Sequence, residues 1–235
     1  MKKGETKAAL EKMESIAGIM RQLGDLPGEA QALQETARLD MMLSNFDSAR
    51  GRLQRSLELL ESSHDPRGAA FALFNLASLD LEKGDFQAAA EEYARALPLF
   101  REMKDRAAVS AIRHSQGLIQ AQAGEKELAI SSFKEALAIN QELGDKAAEA
   151  GSFFQLGALA VLQDRMEEGL KLMATAAVVL RSIKSDEVKN VEPLVERLAS
   201  QLNYSQEQFM VMVQEVLKGY SKDRGWGLVE RASSK

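Results

Sequence analysis

The segment that decides the fold runs from Asp65 to Lys104 and reads DPRGAAFALFNLASLDLEKGDFQAAAEEYARALPLFREMK. Its opening aspartate recurs every forty residues, at Asp25, Asp65, Asp105 and Asp145, and the text between these residues repeats in register. A fixed period of this length is the signature of a repeat array. We therefore compare positions that lie forty residues apart and call each such set a column.

Each repeat reads as two helices joined by a polar turn, such as Ser44-Asn45 or Gly84-Asp85. Aspartate is a favoured N-cap, and Pro66 suits the first helical position. The pattern predicts a first helix at 26–43 and a second at 46–62, with forty added for each later repeat. Columns of small residues should let the two helices of a repeat approach each other closely, while a column of bulky residues fills the remaining space between them. The small columns are Ala37, Ala77, Gly117, Gly157 and Ala49, Ala89, Ala129, Gly169, and the bulky column is Leu53, Tyr93, Phe133, Met173.

Three motifs in the second repeat carry a family resemblance. Residues 74–79 (FNLASL), 83–89 (KGDFQAA) and 93–97 (YARAL) resemble a tetratricopeptide repeat (TPR) in its forty-residue form, and residues 133–137 (FKEAL) repeat the last motif. This long form is similar to that of kinesin light chains, the Pins and LGN polarity adaptors and the Rap-type bacterial regulators, which bind peptides or proteins in a groove. The resemblance implies an all-α fold, a right-handed α-solenoid of antiparallel helix pairs.

The repeat pattern also predicts how the chain is divided. We expect a partial N-terminal repeat with only a second helix, four full repeats, C-terminal capping helices and a mobile tail. Ser205 and Gln208 form a capping-box sequence at the start of the last helix. The predicted segments are 1–24 for the partial repeat, 25–64, 65–104, 105–144 and 145–184 for the full repeats, 185–220 for the caps and 221–235 for the tail.

Composition excludes several classes of function. The 235 residues include 45% hydrophobic and 28% charged residues but no apolar run near the roughly 20 residues that span a bilayer. With no signal-peptide core after Met1, we expect a cytoplasmic protein without membrane insertion. A net charge of -5 without a basic cluster argues against nucleic-acid binding. The absence of cysteine excludes disulfides and thiol catalysis.

The catalytic inventory predicts that the protein is not an enzyme. Its only histidines are His64, in a turn, and His114. Acidic pairs such as Glu91-Glu92 lie at helix starts, where the helix dipole stabilises a negative charge. No phosphate-binding glycine motif is present. We therefore expect no cofactor, no metal and no catalytic residue.

The remaining first-helix columns are expected to face a concave groove that binds an amphipathic helix or an extended peptide. In the family, an asparagine at the position of Asn75 often holds the ligand backbone. Because a shift of one residue turns a helix by about 100°, Phe71, Phe74 and Phe154 could instead lie in the core. The candidate groove residues are Gln34, Arg38, Met41, Phe71, Phe74, Asn75, Leu81, His114, Leu118, Phe154 and Gln155.

The two ends suggest a second function, self-association as a scaffold. The first helix of the partial repeat is missing, so the chain is either cut from a longer protein or leaves Met13, Ile16 and Met20 uncovered. In the last helix, Phe209 and Val213 belong to an apolar stripe with Val216, Leu217 and Tyr220, which either docks on the last repeat or forms a dimer contact. The alternatives are thus a peptide-binding module, with a regulatory peptide sensor as one form of it, and a homo-oligomeric scaffold.

Overall fold

The computed structural model describes residues 3–233, which form twelve α-helices joined by short turns and contain no strand. Within this range no helix combines the length and the apolarity that a bilayer crossing requires. The helices are α1 (Lys3–Leu23), α2 (Leu26–Met42), α3 (Phe46–Ser62), α4 (Pro66–Lys83), α5 (Phe86–Glu102), α6 (Arg106–Gln122), α7 (Lys126–Leu143), α8 (Lys146–Val161), α9 (Met166–Ser182), α10 (Val188–Gln201), α11 (Gln206–Asp223) and α12 (Trp226–Arg231).

Helices that follow one another within a unit pack in antiparallel pairs, such as α2 with α3 and α8 with α9, so the fold class is the predicted one, an all-α array of helix pairs. The chain forms two compact units, unit 1 (Met1–Ile112) and unit 2 (Arg113–Lys235). In unit 1, α2 packs on α3 and α4 on α5, and α1 covers one side of α2. In unit 2, α8 packs on α7 and α9, and α9 also supports α10, α11 and α12.

The repeated aspartates start the first helix of each repeat, as predicted. The carboxylate of Asp25 accepts the Gly28 N–H at 3.0 Å, and that of Asp65 accepts the Gly68 N–H at 2.9 Å. Asp105 and Asp145 make the same bond at 3.0 Å, to the residue three positions later. Each cap satisfies a backbone donor that has no partner inside the helix. This one column of aspartates therefore fixes where each repeat begins.

Left-handed residues end the helices with the same period. The turns between repeats place Gly24, His64, Lys104, Gly144 and Lys184 at φ of 55° to 72°. The residue after each of them donates its N–H to the carbonyl oxygen of the residue five positions earlier, as Asp65 does to Leu60 at 2.9 Å. This bond pattern is a Schellman motif, which satisfies the last carbonyls of a helix. The turns between repeats thus share one backbone geometry whatever their side chains.

The small columns bring the paired helices into close contact. Ala37, Ala49, Ala77 and Ala89 are fully buried in unit 1. In unit 2 a Cβ on Gly117 would lie 2.6 Å from the Phe133 ring, and a Cβ on Gly157 would lie 2.9 Å from the Gly169 carbonyl oxygen. Because real Cβ atoms do not approach other atoms this closely, these two helix crossings require glycine.

Residues 221–233 do not form the mobile tail that the sequence predicted. Helix α11 continues to Asp223, the chain turns through Arg224 and Gly225 at positive φ, and α12 follows. Val229 is fully buried in the core of unit 2. The expected partial repeat at 1–24 contains the single helix α1, and residues 1, 2, 234 and 235 lie outside the described residues.

Candidate interaction surfaces

In unit 1 the candidate groove residues of α2 and α4 are all at least partly exposed to solvent. We call Gln34, Arg38, Met41, Phe71, Phe74, Asn75 and Leu81 the first-helix surface of unit 1. Each is half-buried or exposed, whereas the intervening Leu33, Ala37, Leu73 and Ala77 are buried. The helical period therefore separates the packing positions from these positions as the sequence predicts.

The two phenylalanine rings of this surface pack on buried aromatic residues of α5. Phe71 is 36% exposed, and its ring meets the buried Phe100 edge to face at 5.0 Å between centroids. Phe74 is half-buried and contacts Tyr93 at 5.8 Å and Phe100 at 6.2 Å. Edge-to-face contacts of this kind hold a ring in one orientation. The surface thus presents aromatic groups that are already positioned.

A chain of amide hydrogen bonds fixes the polar part of the same surface. The Asn75 amide donates to the Gln34 side-chain oxygen at 3.3 Å, and the Gln34 amide donates to the Ser56 hydroxyl at 3.1 Å. Arg38 pairs with Glu35 at 3.0 Å. Because both side chains of that pair are well exposed, it is a weak interaction that an acidic ligand could replace.

In unit 2 the candidate groove residues are His114 on α6, Leu118 on α6, and Phe154 and Gln155 on α8. All four are half-buried, and Leu118 and Phe154 pack on the buried core. His114 lies edge to face on Phe133 at 5.2 Å. Burial lowers the pKa of this imidazole, so it is neutral at physiological pH. It therefore acts as an aromatic surface group without charge.

The predicted self-association residues of α1 are only part of its open apolar surface. Ile16 is exposed, and Met13 and Met20 are half-buried. Ile19 and Leu23, which the sequence analysis did not select, are exposed at 51% and 72%. Their positions one helical turn apart could have identified them. Helix α1 thus packs one face on α2 and presents three large aliphatic side chains on its other side.

At the other end, Phe209 and Val213 line a cavity of about 350 Å³ formed by α9, α10 and α11. Val178 and Val195 contribute to its walls. An ion pair between Arg181 and Glu192 stands at the same site. The two candidates therefore lie beside an open apolar recess.

The predicted apolar stripe of α11 is partly wrong. Met212, which is not a member of that stripe, is buried, whereas Leu217, which is a member, is 43% exposed. No repeat column continues into α11, so its packed face could not be aligned with the earlier helices. Met210, which lines the cavity, and Val211 are exposed.

A polar cluster that the sequence pattern did not predict holds the C-terminal segment on unit 2. Glu149 is completely buried and accepts hydrogen bonds from Gln141 at 2.9 Å, Lys146 at 2.8 Å and Tyr220 at 2.8 Å. Burial alone would lower the pKa of Lys146, but its bonds to Glu149 and Tyr220 outweigh this effect and raise it. Arg224 adds a second positive charge at 3.4 Å from the carboxylate.

Trp226 completes this attachment. Its indole N–H donates to the Gln141 side-chain oxygen at 2.8 Å, and the Gln141 amide donates to the Arg224 carbonyl oxygen at 2.9 Å. Trp226 lies in the segment that the sequence pattern assigned to a mobile tail. In the folded chain it is an anchor for the chain itself.

A second buried carboxylate cluster lies in unit 1. Arg50 forms an ion pair with the fully buried Asp80 and approaches Glu92 at 4.0 Å. One oxygen of each carboxyl is buried without a hydrogen-bond partner, and a proton shared between the two groups would satisfy both. Burial, with the nearby charge of Asp80 as the second cause, raises the pKa of Glu92 to about 7.

This pKa predicts a pH-dependent stability. Between the ordinary pKa of 4.5 and about 7, the folded chain holds a proton that the unfolded chain releases, so the free energy of unfolding falls as pH rises through that range. Replacing Glu92 with Gln should therefore stabilise the protein at pH 8 by up to about 3 kcal/mol and change little at pH 4. Urea denaturation at both pH values measures this difference. The exposed neighbour Glu91→Gln is the control, and an equal gain at both pH values would contradict the assignment.

Comparisons with known proteins agree with this architecture. The family model for the tetratricopeptide repeat matches residues 37–102 and 68–142. The crystal structure of BtubC (BKLC) from P. vanneervenii is 17% identical, with a TM-score of 0.58 over 86% of this chain and 93% of that chain. A second crystal structure shows TPR-like repeats, nearly identical to one another, of a kinesin light chain candidate from Podosopora anserina. Its sequence is 15% identical to this chain, and the TM-score is 0.64 over 77% of this chain and 89% of that chain. These likenesses concern the fold, and among curated proteins the sequence has no match.

Proposed function

Because the chain is a tetratricopeptide-repeat protein, we propose that it is a non-catalytic protein–protein interaction module that binds a peptide or an amphipathic helix on its first-helix surfaces. The observation that carries this proposal is the exposed Phe71, which stands on Phe100 beside Phe74. A rigid aromatic group of this kind can serve as the centre of an interface at a low cost in side-chain entropy. The ordered amides of Asn75 and Gln34 supply polar contacts for a ligand backbone.

The test begins with a peptide that is selected from a random library on the full chain. Phe71→Ser should weaken its binding at least about tenfold, because the central apolar contact is lost. Leu128→Ser is the matched control, since Leu128 is exposed on the second helix α7, and it should bind as the unchanged protein does. Fluorescence anisotropy measures both affinities. Equal affinities of the unchanged protein and the Phe71 variant would reject the proposed surface.

The same variant separates a surface role from a core role for the phenylalanine. A core Phe truncation costs about 3 to 5 kcal/mol. Phe71 has one edge contact and 36% exposure, so we expect Phe71→Ser to cost less than about 2 kcal/mol. Denaturant unfolding provides this number. A larger cost would assign the ring to the core.

Self-association is the second candidate, and the exposed Ile16, Ile19 and Leu23 on α1 favour it. Light scattering after size-exclusion chromatography, over a hundredfold range of concentration, separates the two functions. A constant mass of 25.8 kDa would remove the scaffold function. A larger species that Ile19→Glu dissociates would assign assembly to α1, and one that Val213→Glu dissociates would assign it to the recess beside α11.

A further inference from the structure

The C-terminal segment occupies a particular place on the repeats of unit 2. Its residues contact the side chains of Gln141 and Glu149, at the turn between α7 and α8. A Cβ on Gly225 would lie 2.7 Å from the Phe153 ring and 3.7 Å from the Thr175 methyl group. Positions 141, 149, 153 and 175 therefore form a docking place for a helix end that carries a tryptophan.

The same columns occur eighty residues earlier, within unit 1, and there they surround an open cavity. Glu61, Ala69, Leu73 and Arg95 are the counterparts of these four residues. All four line a cavity of about 430 Å³ at the turn between α3 and α4, with Leu60 and Leu99. This volume lies within the range of ligand pockets in proteins.

The backbone around the two places is alike. His64 and Gly144 end the preceding helices at φ of 56° and 72°. Asp65 and Asp145 then cap the following helices at 2.9 Å and 3.0 Å. Only the side chains differ, so they decide what each place can hold.

These side chains specify the chemistry of the occupant. The floor of the cavity, made by Leu60, Ala69 and Leu73, is buried and apolar. Glu61 stands where Gln141 accepts the indole N–H of Trp226, and a carboxylate is the stronger acceptor. Ala69 replaces the buried Glu149, so a positive charge at the position of Arg224 would lack the buried carboxylate that Arg224 approaches in unit 2.

The rim of the cavity can open for a ligand. Glu61 pairs with Arg95 at 2.9 Å, and the two side chains are 53% and 55% exposed. Exposed pairs contribute about 0 to 1 kcal/mol, so an indole N–H can replace this contact at small cost.

We propose that this cavity is a binding site for a partner segment that presents a tryptophan at a helix end, with the indole N–H on Glu61 and the helix end over Leu73. The segment belongs to another protein, because the chain's own C-terminal segment is held on unit 2, where Trp226 donates to Gln141 and Tyr220 donates to the buried Glu149. The site shares no residue with the first-helix surface of unit 1, so it is independent of the function proposed above.

The probe is a labelled peptide with the sequence of residues 218–232, KGYSKDRGWGLVERA, together with its Arg224→Ser and Trp226→Ala forms. Titration uses the full chain, in which the place on unit 2 is already occupied. We expect weak binding of the Arg224→Ser peptide, with Kd below about 1 mM by fluorescence anisotropy. Glu61→Ala in the protein and Trp226→Ala in the peptide should each weaken it at least about tenfold.

Glu58→Ala is the matched control, because Glu58 is exposed on the same helix and does not line the cavity. It should leave the affinity unchanged. Absence of binding by every peptide would overturn the proposal. So would binding that Gln141→Ala weakens and Glu61→Ala does not, which indicates exchange at the place on unit 2. A dimer of the protein that Glu61→Ala dissociates would assign the cavity to a second copy and would also overturn it.

Discussion

A chain that ends at Asp223 is expected to lose at least about 3 kcal/mol of unfolding free energy from unit 2. The truncation removes Trp226 from Gln141 and exposes Phe153, which is fully buried beside Gly225. It also removes the buried Leu228 and Val229 from the core. Urea denaturation followed by circular dichroism measures the loss as a lower midpoint.

The truncation also takes one positive charge away from the buried Glu149. Arg224 lies 3.4 Å from that carboxylate, while Lys146 and Tyr220 remain as partners. A buried charge that loses a partner is costly, so part of the expected loss arises here.

A surface substitution in the same segment is the control for this prediction. Lys222→Ala changes an exposed residue of α11 and should alter the unfolding free energy by less than about 0.5 kcal/mol. Equal midpoints for the truncated and the complete chain would mean that residues 224–233 contribute no packing, as the sequence alone suggested.

The helices of the repeats could be predicted closely because their signals are local. The expected helices at 26–43 and 46–62 are observed as Leu26–Met42 and Phe46–Ser62. Aspartate caps, a proline at the first helical position and the apolar period each act within a few residues. The period of forty then transferred these assignments from the clear second repeat to its neighbours.

The C-terminal segment could not be predicted in this way because its stability is tertiary. Helix α12 has six residues, too few to be stable in isolation. It is held by contacts such as that between Gln141 and the Arg224 carbonyl, 83 residues apart in sequence. One signal was nevertheless present, since the column of Glu149 holds carboxylates at Glu29 and Glu149 beside the apolar Ala69 and Val109. A carboxylate in a buried column requires partners: Arg21 of α1 pairs with Glu29, and Tyr220 of the C-terminal segment joins Lys146 at Glu149.

For the candidate surfaces, the columns separated packing positions from open ones but did not show which open residues pair with each other. Asn75, expected to hold a ligand, already donates to Gln34. The contact is possible because the two residues lie forty-one positions apart on adjacent first helices, α2 and α4. Pairing of this kind depends on the distance between helices, which no single column contains.

Two alanine substitutions on α8 should change stability in opposite directions. In Gly157→Ala the new methyl group would lie 2.9 Å from the Gly169 carbonyl oxygen and 3.1 Å from the Met173 backbone nitrogen, and backbone atoms cannot turn aside as a side chain can. Helices α8 and α9 would have to separate, at a cost of at least about 2 kcal/mol. In Gly151→Ala the methyl group would meet only the His114 ring carbon Cε1 at 3.8 Å, an ordinary contact. Alanine is the better helix former by about 1 kcal/mol, so this variant should be more stable than the unchanged protein.

The pair is informative because the substitution, the helix and the gain in helix propensity are the same. The difference between the two unfolding free energies, expected to be at least about 3 kcal/mol, isolates the effect of the close crossing. Chemical denaturation of both variants in one buffer supplies this difference. If Gly157→Ala were as stable as Gly151→Ala, the close crossing of α8 and α9 would not depend on glycine at position 157. The small columns would then not be what brings the paired helices together.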